Sequence, residues 1–388
     1  MKANKIKLNG EILLDLTKDT ATEADVAEGK TFHKADGTFA TGTATVGGGG
    51  SMEGFHKVQF FNDDHTTLLY TVFVPHGASA MYAGDTPVSA GGGTFVGFEP
   101  SPTNVTADLD CYAVYELIST LNETSWRMIS KVSAEGTSQN YFAVGDTKMI
   151  HIQGTVGTLE INGDYGVFIL GFDHNKEIEG EGIHFGTFKT AAANGIEICF
   201  VDSEYSDTFD NGTKYFNMNH SGNTSVGGWA GCDMRYDILG STDVADQDAT
   251  PTCATNPVAN TLMAALPADL RSVMKPMTKY TNNSGLTNDT ASIITATVDY
   301  LPLLAEYERT GETIGASKYE KNKQKRYDYY VEMGYIRKYQ HSKTEYEAGW
   351  WQRSPYISAQ TAFTAASYGS GGATAAFRSL GLSPIFKV

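Results

Sequence analysis

Apolar and polar positions alternate over short stretches, which predicts many brief strands rather than long helices. In residues 1–46, Ile6 and Leu8 alternate with Lys5, Lys7 and Asn9, and Ile12, Leu14 and Leu16 continue the period after Gly10. Thr22-Glu23-Ala24-Asp25 has capping-box form and predicts a short helix ending at Gly29. Thr31-Phe32-His33 and Thr38-Phe39-Ala40 flank Ala35-Asp36-Gly37, a hairpin signal. A unit this small buries little surface, so it is expected to dock or to oligomerise.

Residues 47–53 are glycine-rich and predict a flexible linker. Over 54–116, Val58 and Phe60, then Leu68, Tyr70, Val72 and Val74, bracket the turn Asn62-Asp63-Asp64-His65. Thr94-Phe95-Val96-Gly97-Phe98 and Cys111-Tyr112-Ala113-Val114-Tyr115 follow, so this stretch predicts a small sheet. Residues 117–388 predict one larger domain. Trp126, Ile129 and Val132 lie at helical spacing behind Thr124-Ser125. Strands are expected at 148–152, 158–161, 165–172 and within 292–304. Asn256-Pro257 predicts a helix through Met263, and Pro267 another through Val273.

Composition narrows the function classes. Lys+Arg is 29 and Asp+Glu is 45, a net charge of −16. That balance argues against nucleic acid or an anionic membrane as partner, since both need clustered cations. Glycine is 41 of 388 residues, with 21 Tyr and 19 Phe, the profile of a turn-rich β protein. Cys111, Cys199, Cys232 and Cys253 form no C-x-x-C pair, so neither a zinc ribbon nor a disulfide framework is expected. The apolar run 167–170 is far short of the ~18 residues of a membrane span. Residues 12–14 are too short for the core of a signal peptide, so export by that route is not expected.

Three stretches resemble known families. Lys5-Ile6-Lys7-Leu8-Asn9-Gly10-Glu11, Asp15-Leu16-Thr17-Lys18-Asp19-Thr20, Ala35-Asp36-Gly37 and Thr41-Gly42-Thr43 are similar to the segment that opens many tail-associated proteins of phages of Gram-positive gut bacteria. Val58-Gln59-Phe60, Tyr70, Gly77, Phe95-Val96-Gly97-Phe98, Asn104-Val105-Thr106-Ala107-Asp108 and Tyr112-Ala113-Val114-Tyr115 resemble the Listeria–Bacteroides repeat, a β-grasp-like adhesin module, with Phe98 where Trp is usual. In the large domain the order is Val144-Gly145-Asp146-Thr147-Lys148, Gly227-Gly228-Trp229-Ala230-Gly231-Cys232-Asp233-Met234-Arg235, Leu266-Pro267-Ala268-Asp269-Leu270, Trp350-Trp351-Gln352-Arg353-Ser354-Pro355 and Gly381-Leu382-Ser383-Pro384-Ile385-Phe386. It resembles a phage and prophage family ending in W-W-x-R-S-P and G-x-x-P. That family is similar to the C-type-lectin fold of the formylglycine-generating-enzyme branch, which also serves tropism determinants diversified by retroelements.

The motif residues Trp229, Asp233, Arg235, Trp350, Trp351 and Arg353 read as structural. Adjacent strand residues face opposite sides, which predicts one of Trp350 and Trp351 in the core and the other partly exposed. Arg353 is expected in a buried ion pair, with Asp233 as the candidate partner. Residues 356–379 mix Tyr, Ser, Thr and Gly with few charges, as adaptable paratopes do. Tyr356, Ser358, Gln360, Thr361, Tyr368, Ser370, Thr374, Phe377 and Arg378 are therefore the candidate ligand-binding residues, and a plain surface hairpin is the alternative.

His174, Glu177, Glu179, Glu181 and His184 match no metal-ligand frame and read as a solvated acidic loop. Asp243, Asp246 and Asp248 lack the glycine and glutamate of an EF-hand loop. Six tyrosines from Tyr319 to Tyr339 interleave with Lys318, Lys321, Lys323, Lys325, Arg326, Arg337 and Lys338, which reads as a solvated or inter-subunit face. G-x-S-x-G, the Walker loop and H-E-x-x-H are all missing from the sequence, and the cysteine pair of the oxidase in the fold branch has no counterpart.

The expected fold class is α+β, β-rich and modular: a small N-terminal β unit for virion attachment, a β-grasp-like module and a C-terminal C-type-lectin-like domain. The expected function is non-enzymatic: phage receptor binding to a bacterial surface glycan or protein, in a virion made in the host cytoplasm. No cofactor or metal is expected. Other tail or virion proteins are expected partners, and the resemblance implies a homotrimer. A non-adhesive head fibre or decoration protein and a glycan hydrolase are the other classes.

Overall fold

The computed structural model of the chain describes residues 5–8, 11–16, 20–26, 29–43, 54–89, 91, 93–192, 195–202, 213–244, 249–334, 336–367 and 370–388. It is mostly β, with 35% strand and 16% helix spread over several small sheets. Two compact units are present: Met1–Pro87 with Phe98–Val114, and Val88–Gly97 with Tyr115–Val388.

In the first unit, β1 (Lys5–Leu8) and β2 (Glu11–Asp15) form an antiparallel hairpin with Lys5 opposite Asp15. The helix expected after Thr22 is only a 3-10 turn over Glu23–Asp25. The capping contact is present, because the Thr22 N–H donates to the Asp25 carboxylate at 2.8 Å. The turn stops at Val26, which is extended, because it has no buried face to reward further helix. β3 (Thr31–His33) and β4 (Phe39–Thr41) form the predicted hairpin, with Asp36 accepting the Thr38 N–H at 2.8 Å in its turn. Among the described residues of 20–43, only Gly42 is buried.

The rest of this unit is built on a mixed sheet. β5 (Phe55–Phe61) pairs antiparallel with β6 (Leu68–Pro75). With β7 (Thr94–Glu99) and β8 (Leu109–Glu116), the sheet order is β6-β5-β8-β7, and β5 and β8 run parallel. Alternation places Val58 and Phe60 inward, both fully buried, and the Phe60 ring meets Phe98 at 4.7 Å and Tyr82 at 5.4 Å.

In the second unit, α1 (Trp126–Ala134) starts at Ser125, whose Oγ accepts the Met128 N–H at 3.1 Å. Its Trp126, Ile129 and Val132 are buried, as the spacing predicts. β9 (Thr147–Val156) and β10 (Leu159–Phe172) make a long hairpin, and β11 (Ile183–Lys189) extends it. β12 (Ile198–Cys199) is a short strand. The predicted helix from 256 to 263 is only Leu262–Ala265, because Asn260 is left-handed with φ 62°. Pro267 forces Leu266 extended and separates a second short helix, Ala268–Arg271.

β13 (Met277–Asn282) and β14 (Ile294–Asp299) form another antiparallel hairpin. β15 (Lys338–Gln340) pairs parallel with β12 and antiparallel with β16 (Lys343–Ala348). β17 (Trp350–Pro355), β18 (Ala362–Ser367) and β19 (Ser370–Ala375) form an antiparallel sheet. The last strand, β20 (Ile385–Lys387), returns to pair with β11, stacking Phe386 on Phe185 at 5.0 Å. Trp126, Phe188, Phe200, Trp229, Trp351 and Phe363 share one continuous apolar core.

One expectation fails here, and another holds only in part. Trp350 and Trp351 are both buried, because β17 is covered on both faces. The stretch from Tyr319 to Tyr339 is not simply solvated. Its Lys318, Lys321, Lys323 and Lys325 are exposed, while Tyr327, Tyr329, Tyr330 and Lys338 are buried.

Candidate functional site

β13, β17 and a short helix at Glu306–Thr310 carry a layer of buried charges beneath four loops of the second unit. Glu308 is central. Its carboxylate takes both Arg353 guanidinium arms, at 2.5 and 2.8 Å, and the Lys279 ammonium at 3.0 Å. Burial pushes this carboxyl up, but the Arg353 and Lys279 charges overcome that and hold it well below the usual carboxylate range. Asp233 is not the partner of Arg353; it accepts the His220 backbone N–H at 2.6 Å. Arg235 instead reaches Asp299 at 2.7 Å, and Asp299 also takes Trp229 Nε1, Ser241 and Thr297. The Trp229–Arg235 motif is thereby tied to β14.

The supposed acidic loop is divided. Glu177 and Glu181 are exposed, whereas His174, Glu179 and His184 are buried. Lys279 gives its three protons to Glu179 at 2.5 Å, Glu308 at 3.0 Å and the Tyr327 hydroxyl at 3.0 Å. Its ammonium sits where a bound cation would have to be. Burial pushes His174 down to about 3 and His184 well below the usual range, so both rings are neutral. Among the described residues, no group of three or more His, Cys, Asp or Glu is arranged to hold a metal.

Above this layer lie the loops 221–226, 283–290, 312–317 and 356–361. Buried acceptors pin three of them. The Glu306 carboxylate takes the Gly315 and Ala316 N–H groups at 2.8 and 2.9 Å. Asn282 Oδ1 takes the N–H groups of Ser284 and Gly285 at 3.2 and 3.1 Å. Glu320 takes the Asn282 N–H at 3.1 Å and the Ser354 hydroxyl at 2.7 Å, tying the base of one loop to the strand that feeds another. Burial pushes the Glu320 carboxyl up to about 7, against those hydrogen bonds.

Main-chain bonds then join loop to loop. Ser225 N–H donates to Gln360 C=O at 2.8 Å, Gly227 to Ser284 at 2.9 Å, and Ile357 to Gly315 at 2.9 Å. Ala376 N–H donates to Thr361 C=O at 2.8 Å. Gly285, with φ 62°, allows the closest approach, since a Cβ there would run into the Ser225 carbonyl. The rim exposes apolar tips, Val226 at 53%, Leu286 at 39% and Ile314 at 73%, beside Asn223, Thr287, Asn288, Ser358, Gln360 and Thr361.

The nominated ligand-binding residues whose burial is described are exposed or half-buried. Ser358, Gln360, Thr361 and Arg378 are exposed, and Tyr356, Thr374 and Phe377 are half-buried. Ser370 opens β19, and Tyr368 lies outside the described residues, as do Asp246 and Asp248. β18, in the middle of the nominated segment, is buried at Ala362, Phe363, Thr364, Ala365 and Ala366. Sequence reasoning missed the loops 221–226, 283–290 and 312–317. Asn282-Asn283-Ser284-Gly285 is a turn signal that could have flagged one of them. Nothing local in the sequence marks Glu306, Glu308 or Glu320 as buried. The chain matches no protein-family profile, no curated protein and no solved structure.

Proposed function

We propose that the chain is a receptor-binding protein of a bacteriophage virion, and that the loops 221–226, 283–290, 312–317 and 356–361 form its recognition surface. The observation that carries this reading is the pairing of a rigid base with an adaptable rim. Buried carboxylates and main-chain bonds hold the loops, while apolar tips and uncharged polar side chains face outward. Preorganised contact surface of this kind reduces the ordering cost of binding. The target is a bacterial surface glycan or protein, and no covalent step is required. The resemblance to C-type-lectin-like tropism determinants, with a retroelement-diversified C-terminal segment, points the same way. In this reading the small hairpins before residue 46 attach to other virion proteins, the β-grasp-like sheet spaces, and a homotrimer multiplies weak contacts.

The test uses the purified full-length protein on a panel of gut bacterial cells. Strain-selective binding, with competition against phage adsorption, is expected. A variant carrying Val226→Ser, Leu286→Ser and Ile314→Ser, all at exposed positions, should keep its melting temperature and lose at least tenfold in binding. Wild-type protein that neither binds any strain nor blocks infection would favour a non-adhesive structural virion component.

A further inference from the structure

Two histidines of the first unit stand apart from everything above. His56 lies on β5, and His76 lies just beyond β6. The hairpin register sets Phe55 against Pro75 and His56 against Val74, and the His76 N–H donates to Gly54 C=O at 2.9 Å. That pinned end of the ladder brings His56 Nε2 to within 2.9 Å of His76 Nδ1. The ring centroids are 5.1 Å apart and the planes are tilted by 56°. His76 is exposed and His56 half-buried, so solvent reaches the pair.

Two neutral imidazoles meet in this way by sharing one proton, with the lone pair of one ring facing the N–H of the other. Replacing that proton by a metal ion requires both lone pairs to converge on one point. Zinc–nitrogen bonds of about 2.0–2.1 Å at a tetrahedral angle place the two nitrogens ~3.3 Å apart. The pair is therefore within about 0.4 Å of a chelating bite, a shift that ring rotation alone can supply. Both side chains come from a hydrogen-bonded hairpin end, so little order remains to be lost on binding.

We infer that His56 and His76 form a two-imidazole chelate for a divalent late transition-metal ion. Imidazole nitrogen selects zinc, nickel and copper over magnesium and calcium. Two protein ligands leave coordination positions open to water or to a donor from another molecule. The four cysteines do not compete, because all are buried and burial pushes each thiol up to about 11 or 12. The nearest rival is the exposed pair of His151 Nδ1 and Asp164, 2.7 Å apart in the second unit.

The test is titration of the full chain with Zn²⁺ alone, followed by calorimetry and by the melting temperature. One strong equivalent is expected. His56→Ala and His76→Ala should each abolish it, and His151→Ala should keep it. Cu²⁺ should bind the same equivalent more tightly than Zn²⁺. Mg²⁺ should raise no signal. Absence of a strong equivalent in the wild type would overturn the inference. So would its persistence in either His56→Ala or His76→Ala, or its loss in His151→Ala alone.

Discussion

The sheet of the first unit and the loop-bearing second unit fill their interiors with different chemistry. Around Phe60 the buried side chains are Val58, Val74, Ala80, Phe98, Val105, Cys111 and Ala113, and no charged residue among the described ones is buried there. The second unit buries Glu179, Lys279, Asp299, Glu306, Glu308, Glu320 and Arg353. Apolar packing supplies stability without direction. A buried carboxylate is costly to desolvate and tolerates few geometries, so it specifies where its partners lie. Under the function proposed above, the difference follows the work of each region: a spacer needs only to stay folded, whereas a recognition surface made of four loops needs each loop held in one place.

The largest test of that contrast is removal of one charge from the buried layer. Arg353→Ala or Glu308→Ala should each cost about 3–5 kcal/mol in urea unfolding, because the partner is left buried and unpaired. Arg353→Met combined with Glu308→Leu should recover most of the loss, since Glu179 still balances Lys279. If the double variant is as unstable as the sum of the singles, the pair does more than balance charge.

The next effect is pH-dependent. Glu320 titrates at about 7 in the folded chain, raised by burial from an ordinary 4.5. Its contribution is full below pH 4.5 and is lost as pH rises through about 7, by at most about 3 kcal/mol. Glu320→Gln should flatten the stability profile between those pH values. An unchanged slope would assign the titration to another group.

Glu306→Ala should have a smaller and more local effect, about 1–3 kcal/mol. It strips the acceptor from two buried N–H groups. Hydrogen exchange at Gly315 and Ala316 should accelerate while amides of β10 keep their protection. Uniform acceleration would mean that this loop is not a separately pinned element.

Local structure was legible where a pattern repeats within a few residues. The hairpins around Asp36 and between β5 and β6, and the start of α1 at Ser125, follow from alternation, turn residues and a cap. Where chemistry depends on residues far apart in the chain, the pattern misled. Glu179 meets Lys279 across a hundred positions, and Arg353 meets Glu308 across 45. In sequence Glu179 is one charge in an acidic stretch and reads as solvated, while Arg353 reads as buried but with Asp233 as its partner, because nothing local points to Glu308. Trp350 and Trp351 misled in the same way. Alternation predicts opposite faces but cannot say that both faces are covered. Of the candidate site, Ser358, Gln360 and Thr361 were legible from composition, and three of the four loops were not.

The joints between loops have a consequence for how the surface can be varied. Ser225 to Gln360, Gly227 to Ser284, Ile357 to Gly315 and Ala376 to Thr361 are all bonds from main chain to main chain. Any residue other than proline can donate such an N–H, and every residue can offer the carbonyl. The mounting is thus blind to the lettering it carries. Positions 358, 360 and 361 can be written in almost any alphabet of side chains without unseating the loop. A combinatorial library randomised there, with Gly285, Glu306 and Glu320 left untouched, should return mostly folded members.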